Sequence, residues 1–423
     1  MKLPGMVGSW SLVLTLILLA VIILVGIIVY RMAMVAALAA SGDEAIKSNF
    51  GIIISITGAA INLVCILIFN YFYGILAEWL TEQELHRTQT SFDDSLTIKI
   101  YLFQFVNYYA SIFYIAFFKG QFVGTPHEYN RIFDFRQEEC SPGGCFIELS
   151  IQLATIFMGK QFVLAVVEYY MPLVEKLLNL LQLEGLDKKE EVDGEKVKSP
   201  QHIKDYKLAV CGQQTLFYEY LEMVIQYGFI TVLVCAFPLA PFFAWFNNIL
   251  EIRLDAKKML TLQRRPVAQK VRSIGVWFDI METLSRISII TNAFIIALTS
   301  EFIPKMVYTY AYTENQDLVG YVNFTLSHFD GVGNVPECRY SNFYTPGPDY
   351  KPSIAFYHIW FARLLFVIIF ENVIATAVTA VKLLIPDVSP DLKYKIQRER
   401  FISTTLVRAH NKEMRNKRNT LAP

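Results

Sequence analysis

Charge is scarce in this sequence, and what there is cancels. Only 18% of its 423 residues are charged, with 38 Lys and Arg set against 38 Asp and Glu. The balance by itself names no partner, and no nucleic-acid binding is expected from it. Histidine and cysteine number six each. Their spacing makes no zinc site, and there is no glycine-rich nucleotide loop or nucleophile triad, so an enzyme is not expected. Strand-period alternation is too weak anywhere to suggest a barrel. What the chain has instead is hydrocarbon, at 54% hydrophobic residues and a mean hydropathy of +0.37.

The apolar residues gather into runs of about 20, the length that crosses a ~30 Å hydrocarbon core as a helix. Eight runs can be placed, at roughly 11–32, 51–74, 98–118, 146–170, 217–237, 240–260, 275–300 and 354–385. The expected fold is therefore all-α: a polytopic membrane bundle of about eight transmembrane helices. The first run is too long for a signal peptide and lacks a small-residue cleavage site, so it is read as a span. Basic residues cluster after the sixth run (Arg253, Lys257, Lys258, Arg264, Arg265, Lys270, Arg272), in the linker at 176–208 and beyond Pro390. By the excess of positive charge on cytoplasmic loops, these belong in the cytosol. Both termini are then cytosolic, with 119–145 and 301–353 outside. The expected organisation is four spans within 1–175, a cytosolic linker at 176–216, an acid-bearing hairpin with the remaining spans within 217–390, and a basic tail at 391–423. That tail reads equally as a membrane-surface helix or a solvated one.

Two features agree with that orientation. Cys140 and Cys145 in "EECSPGGC" fall outside, where a disulfide can form, and the sequon at Asn323 falls outside as a glycosylation acceptor. Cys65 and Cys235 lie within spans, Cys211 is cytosolic, and pairing Cys140 with Cys145 leaves Cys338 without an external partner.

The stretch "NNILEIRLDA" breaks the apolar pattern. Asn247, Glu251 and Asp255 recur every fourth residue, making one polar stripe on a helix. "FPLAP" before it carries Pro238 and Pro241, which break one helix and start another, so the fifth and sixth runs form an antiparallel hairpin. At 1.5 Å per residue from its tip, Glu222 lies about 24 Å down one leg, and Glu251 and Asp255 about 15 and 21 Å down the other. Glu219 neighbours Glu222 on its leg, and Glu168 approaches similar depth from the fourth run. Each carboxylate costs ~2.5–3.5 kcal/mol at the centre of a membrane helix before mutual repulsion. Protonation, salt bridges to Arg253 or Lys257, or a divalent metal would each neutralise them. Among metals, an oxygen-only set favours a hard cation, and Ca²⁺ tolerates irregular oxygen coordination best.

"LFYEYLEMVIQYGFITVLVCAFPLAPFFAWFNNILEIRLDAKK", "IYLFQFVNYYASIFYIAFFKGQFVG", "EECSPGGCFIELSIQL" and "TNAFIIALTSEFIPKMVY" closely resemble the anoctamins, a family of calcium-activated chloride channels and phospholipid scramblases. The resemblance covers about residues 10–400. It implies the third to tenth helices of a ten-helix subunit, a homodimeric assembly in the plasma membrane or an intracellular membrane, and two Ca²⁺ ions. The matching acidic ligands are Glu168, Glu219, Glu222, Glu251 and Asp255, with Asn247 as the amide ligand. Ala165 and Leu164 stand where the family supplies a further Asn, which implies weaker binding at one site. The resemblance also implies that Ca²⁺ draws Glu168 toward the hairpin and straightens a helix that Gly159 lets bend. That helix would line a groove for anions or lipid headgroups together with Gln104, Asn107, Tyr108, Tyr109 and Ser111. On the residues alone, these polar side chains serve equally as hydrogen-bonding contacts between helices. Gln104 replaces a Lys of the anion-channel branch, which tilts the expectation toward a scramblase or a poorly selective conductance. The family's cytosolic N-terminal domain and first two helices have no counterpart here, and the partner expected for Cys338 would lie in their external loop. A fragment, a short isoform and a truncated, non-transporting subunit that regulates partners or tethers membranes are all compatible with that.

Overall fold

The computed structural model describes residues 3–39, 44–126, 128–132, 135–140, 144–187, 201–206, 208–212, 214–268, 271, 273–331, 337–346, 350–386 and 388–421. Part of the expected linker (188–200), Pro142, Gly143, Lys270 and Arg272 lie outside the described residues, as does the side chain of Glu168.

Three long helices open the chain: α1 (Leu3–Ala39), α2 (Glu44–Gln83) and α3 (Gln89–Phe113). Each packs on the other two. Thr88 caps α3 by accepting from the Ser91 amide at 3.3 Å, and α3 ends in a π-helical turn at Tyr114–Phe118. A small hairpin, β1 (Arg131–Ile132) with β2 (Phe135–Arg136), precedes α4 (Phe146–Asp187). α4 passes Pro172 unbroken and continues beyond 176, the expected start of the linker, because "LVEKLLNLLQL" is built of strong helix formers. After α5 (Gln201–Tyr206) come α6 (Thr215–Val232) and α7 (Ala240–Lys257), the hairpin legs, and a π-helical turn at Lys258–Leu262. α8 (Val276–Phe294) ends in a third π turn at Ile295–Thr299, followed by α9 (Phe302–Ala311) and α10 (Tyr321–Thr325). A hairpin of β3 (Leu326–Phe329) and β4 (Cys338–Ser341) leads to α11 (Ile354–Leu384) and α12 (Pro390–Leu421). The chain divides into two units, Met1–Val367 and Ile368–Pro423. In the second, the side chains from Ile368 to Met414 are predominantly exposed.

All eight expected runs are helical. Among the described residues six helices are long and apolar enough to cross a membrane: Met6–Leu38, Gly51–Gln83, Gln89–Phe118, Phe146–Val167, Val276–Thr299 and Ile354–Leu384. α6 and α7 fall short of that standard because their faces carry the acids and amides of the candidate site. Large apolar side chains stay exposed along the spans, such as Leu14, Leu18 and Ile22 on α1 and Ile68 and Phe72 on α2. On a soluble protein such a surface would invite aggregation, whereas hydrocarbon is its natural solvent.

The interior of the first unit is organised by aromatic packing. Phe229 of α6 stacks on Tyr109 of α3 with centroids 5.1 Å apart, and meets Tyr108 and Phe157 of α4 at 5.7 Å each. One side chain thus ties three helices, which is why the hairpin's first leg sits inside the bundle. Gly228 makes room for this: a Cβ there would collide with the Tyr109 hydroxyl. Gly228→Ala is expected to cost about 1–3 kcal/mol by overpacking, checked as a lowered thermal midpoint that Tyr109→Phe partly restores.

Buried ion networks stand at two places. Arg31 of α1 pairs with Glu138 at 2.9 Å and with Glu148 of α4, while Lys119 reaches Glu148 at 2.6 Å and Glu138 at 3.0 Å. The disulfide joining Cys140 to Cys145 lies between those two acids in the chain and holds their loop short. Lys99 of α3, fully buried, pairs with Glu84 at 2.6 Å where α2 gives way to α3.

Candidate metal centre

The hairpin is held at its tip by a neighbour. Helix ends leave carbonyl and amide groups without intrahelical partners, and α8 supplies them at the end of α6. Asn292 Nδ2 donates to the Thr231 carbonyl at 2.8 Å, and its Oδ1 accepts from the Cys235 amide at 3.1 Å. Thr291 Oγ1 donates to the Val232 carbonyl at 2.9 Å. Pro241 sits in the first turn of α7, where its missing N–H costs nothing. Further along, Gln226 of α6 donates to the Ala244 carbonyl at 3.2 Å and to Asn248 Oδ1 at 2.9 Å, fixing the legs against each other.

Below that bond the acidic faces converge. Glu219, Glu251 and Asp255 each place a carboxylate oxygen within 4.8 Å of the others. Glu251 is buried and accepts from Asn247 Nδ2 at 3.0 Å. Glu222, also buried, feels the charges of Glu219 and Asp255. Glu168 rides on α4, with its side chain outside the described residues. Glu219 Oε2 and Asp255 Oδ1 are buried without any hydrogen-bond partner. Orphaned anionic oxygens are costly unless a cation meets them, and oxygens with no soft donor among them suit a hard divalent ion such as Ca²⁺.

Two lysines share the acidic region, and neither is among the partners expected from the sequence. Lys258 Nζ lies 2.5 Å from Glu219 Oε1. Lys160 of α4 lies over the Tyr108 ring at 5.7 Å, and its charge acts on Glu222. By contrast Arg253 and Lys257, the salt-bridge partners considered above, have exposed side chains. Lys258 stands three residues beyond Asp255, near the stripe, but the π turn decides that it and not Lys257 meets Glu219. Lys160 was not legible in the sequence, because its depth relative to Glu222 depends on how α4 meets α6.

Gly159 is a point of close helix packing. α4 is continuous through it, and an added Cβ would strike the Leu63 side chain, so it allows α4 to approach α2 closely. Ala165 and Leu164 are both half-buried. On α3, Asn107 donates to Asn70 Oδ1 at 3.0 Å and to the Ile66 carbonyl at 3.3 Å. Ser111 accepts from Asn62 at 2.8 Å, Tyr108 and Tyr109 are buried against Phe229, and Gln104 is half-buried. These are contacts between helices, yet Asn62, Asn107 and Ser111 also border a cavity of about 20 Å³ shared with α1. Asn323 is exposed and accepts from Arg339 at 2.9 Å, and Cys338 is a free thiol.

The sequence has relatives among known proteins. Residues 2–399 match the family model described as "Anoctamin: Calcium-activated chloride channel". The chain is 41% identical to anoctamin-1 of Homo sapiens over 404 residues, 91% of this chain and 41% of that protein. It is 40% identical to anoctamin-5 of Mus musculus over 410 residues, 91% of this chain and 44% of that protein. With anoctamin-7 of Mus musculus the identity is 42% over 397 residues, 92% of this chain and 45% of that protein. The chain thus spans less than half the length of the curated relatives it matches.

Proposed function

The chain belongs to the anoctamin family, and from that premise we propose that it acts in a calcium-activated membrane transport protein, moving chloride or other small ions, phospholipids, or both. The observation that carries this reading is the convergence of Glu219, Glu251 and Asp255 within 4.8 Å, with two orphaned carboxylate oxygens among them. Glu168, Glu219, Glu222, Asn247, Glu251 and Asp255 are the residues that would hold two Ca²⁺ ions. Bound there, the ions would supply the positive charge that the membrane-buried acids need.

The residues set how such a site controls transport. Carboxylates carried by α4, α6 and α7 repel while their charge is uncompensated, and that repulsion opposes close approach of α4 to the hairpin. Neutralising them favours the approach. α4 also packs on α2 through Gly159, so its movement alters the wall it shares with α2 and α3. Asn107, Ser111, Tyr108 and Gln104 are the α3 side chains that line that wall in this reading. The neutral Gln104 favours lipid transfer or a weakly selective conductance over strong anion selectivity. Both termini lie in the cytosol in this reading, Asn323 carries a glycan on the outside, and the assembly is a homodimer in the plasma membrane or an intracellular membrane.

Purified protein in liposomes tests the reading. Ca²⁺-dependent chloride efflux or lipid transfer, lost in Glu251→Gln, is the expected result. Identical flux with and without Ca²⁺ overturns it.

A further inference from the structure

Lys258 occupies an unusual place for a lysine. It is the first residue of the π-helical turn that ends α7, buried, with Nζ 2.5 Å from Glu219 Oε1. Its charge also acts on Glu222 and Asp255. One ammonium therefore serves three of the acids that compete for a divalent ion. Its position is imposed from below. The Ala209 amide donates to the Leu262 carbonyl at 3.0 Å, and the Arg264 amide donates to the Ala209 carbonyl at 2.8 Å. Arg264 is further held by the Leu208 carbonyl at 3.0 Å and the Tyr206 carbonyl at 2.5 Å. A π turn inserts an extra residue and re-aims the side chains around it, as such turns do at functional sites. The anchored turn thus presents Lys258 to the acids, while Lys257 beside it has an exposed side chain.

We propose that Lys258 is a tethered cation that competes with the divalent ion for Glu219 and so sets the calcium threshold of the site. The inference rests on the calcium reading above and deepens it. Glu219 Oε2 remains open to a metal ion while Oε1 holds the ammonium, but two cations on one carboxylate repel strongly in a poorly solvated interior. Ion entry therefore works against the Lys258 charge and favours its withdrawal, and that cost is subtracted from the free energy of ion binding. The lysine also lowers the repulsion among the acids when no ion is bound. Removing its charge should tighten ion binding and weaken the ion-free protein together.

The test uses the full chain in nanodiscs titrated with CaCl₂, read by calorimetry and by the thermal unfolding midpoint. Lys258→Met, which keeps an apolar stem in the buried position, is expected to bind Ca²⁺ about tenfold more tightly or better, equivalent to ~1.4 kcal/mol. Its midpoint without Ca²⁺ should fall. Lys258→Gln should tighten binding in the same direction, and Lys258→Arg should not. In the unaltered protein, labelling of Lys258 by an amine-reactive reagent, mapped by mass spectrometry, should rise when Ca²⁺ is added. Unchanged or weaker affinity in the two neutral variants overturns the proposal, and so does Lys258 labelling indifferent to Ca²⁺. Glu251→Gln separates this failure from that of the calcium reading. If it abolishes the Ca²⁺ response while Lys258→Met leaves affinity unaltered, only the competition is refuted. If Glu251→Gln itself leaves the response intact, the calcium site is misplaced and the competition falls with it.

Discussion

Glu251→Gln should shift the Ca²⁺ dependence of flux, and of thermal stability, to concentrations at least about tenfold higher, a loss of ~1.4 kcal/mol or more. Glu251 is the buried member of the three-acid cluster, so its charge lies close to both partners and is poorly screened by water. The substitution keeps the shape of the side chain and an oxygen able to accept from Asn247, which confines the effect to charge. In the absence of Ca²⁺ the variant should be as stable as the parent or more so, since one source of repulsion among buried carboxylates is gone. That opposite sign separates a ligand from a structural anion. Had Glu251 served only to balance Lys258, its neutralisation would lower stability without Ca²⁺ and leave the Ca²⁺ response unmoved.

The second large effect lies at the junction of α2 and α3. Lys99→Met should lower stability by about 3–5 kcal/mol, because it leaves Glu84 buried without its ammonium partner. Lys99 is fully buried, pairs with Glu84 Oε1 at 2.6 Å, and donates to Thr81 at 3.2 Å and Ser95 at 3.0 Å. The double variant Lys99→Met, Glu84→Gln should regain much of the loss, since replacing both partners removes the stranded charge. Acid should imitate the single change. Burial by itself would raise the Glu84 pKa, but the Lys99 ammonium and hydrogen bonds to His86 and Ser95 outweigh it and take the group from 4.5 down to about 2. A depressed carboxylate contributes its stability above the unfolded value. The contribution is therefore full above about pH 4.5 and lost as pH falls toward about 2. Unfolding midpoints across that window should decline in the parent and much less in the double variant. A parallel decline in both would remove Glu84 as the cause.

The acidic stripe was legible because it depends on helical arithmetic alone. Asn247, Glu251 and Asp255 at four-residue spacing share a face whatever the helix packs against, and the prolines after Phe237 make a turn in any context. Long apolar runs leave a helix as the only spanning form available to a single segment, so the all-α bundle also followed without tertiary information. The limits of α4 did not follow, because an amphipathic continuation past the bilayer looks like a linker until helix propensity is weighed against charge.

Which cation meets which acid was a tertiary matter. Lys257 and Lys258 are equivalent in composition, and only the π turn, anchored on Ala209 by backbone bonds from a segment about fifty residues earlier in the chain, aims Lys258 at Glu219 while Lys257 stays exposed. Lys160 of α4 reaches the region over the Tyr108 ring, an arrangement set by how α4 packs on α3 and α6. The same holds for Asn107 and Ser111, whose amide and hydroxyl are polar in sequence but committed to α2 in the fold. Periodicity determines the face of a helix on which a residue lies. What that face meets depends on the rotation and depth of the neighbouring helix, which the packing of rings such as Phe229 and Tyr109 decides.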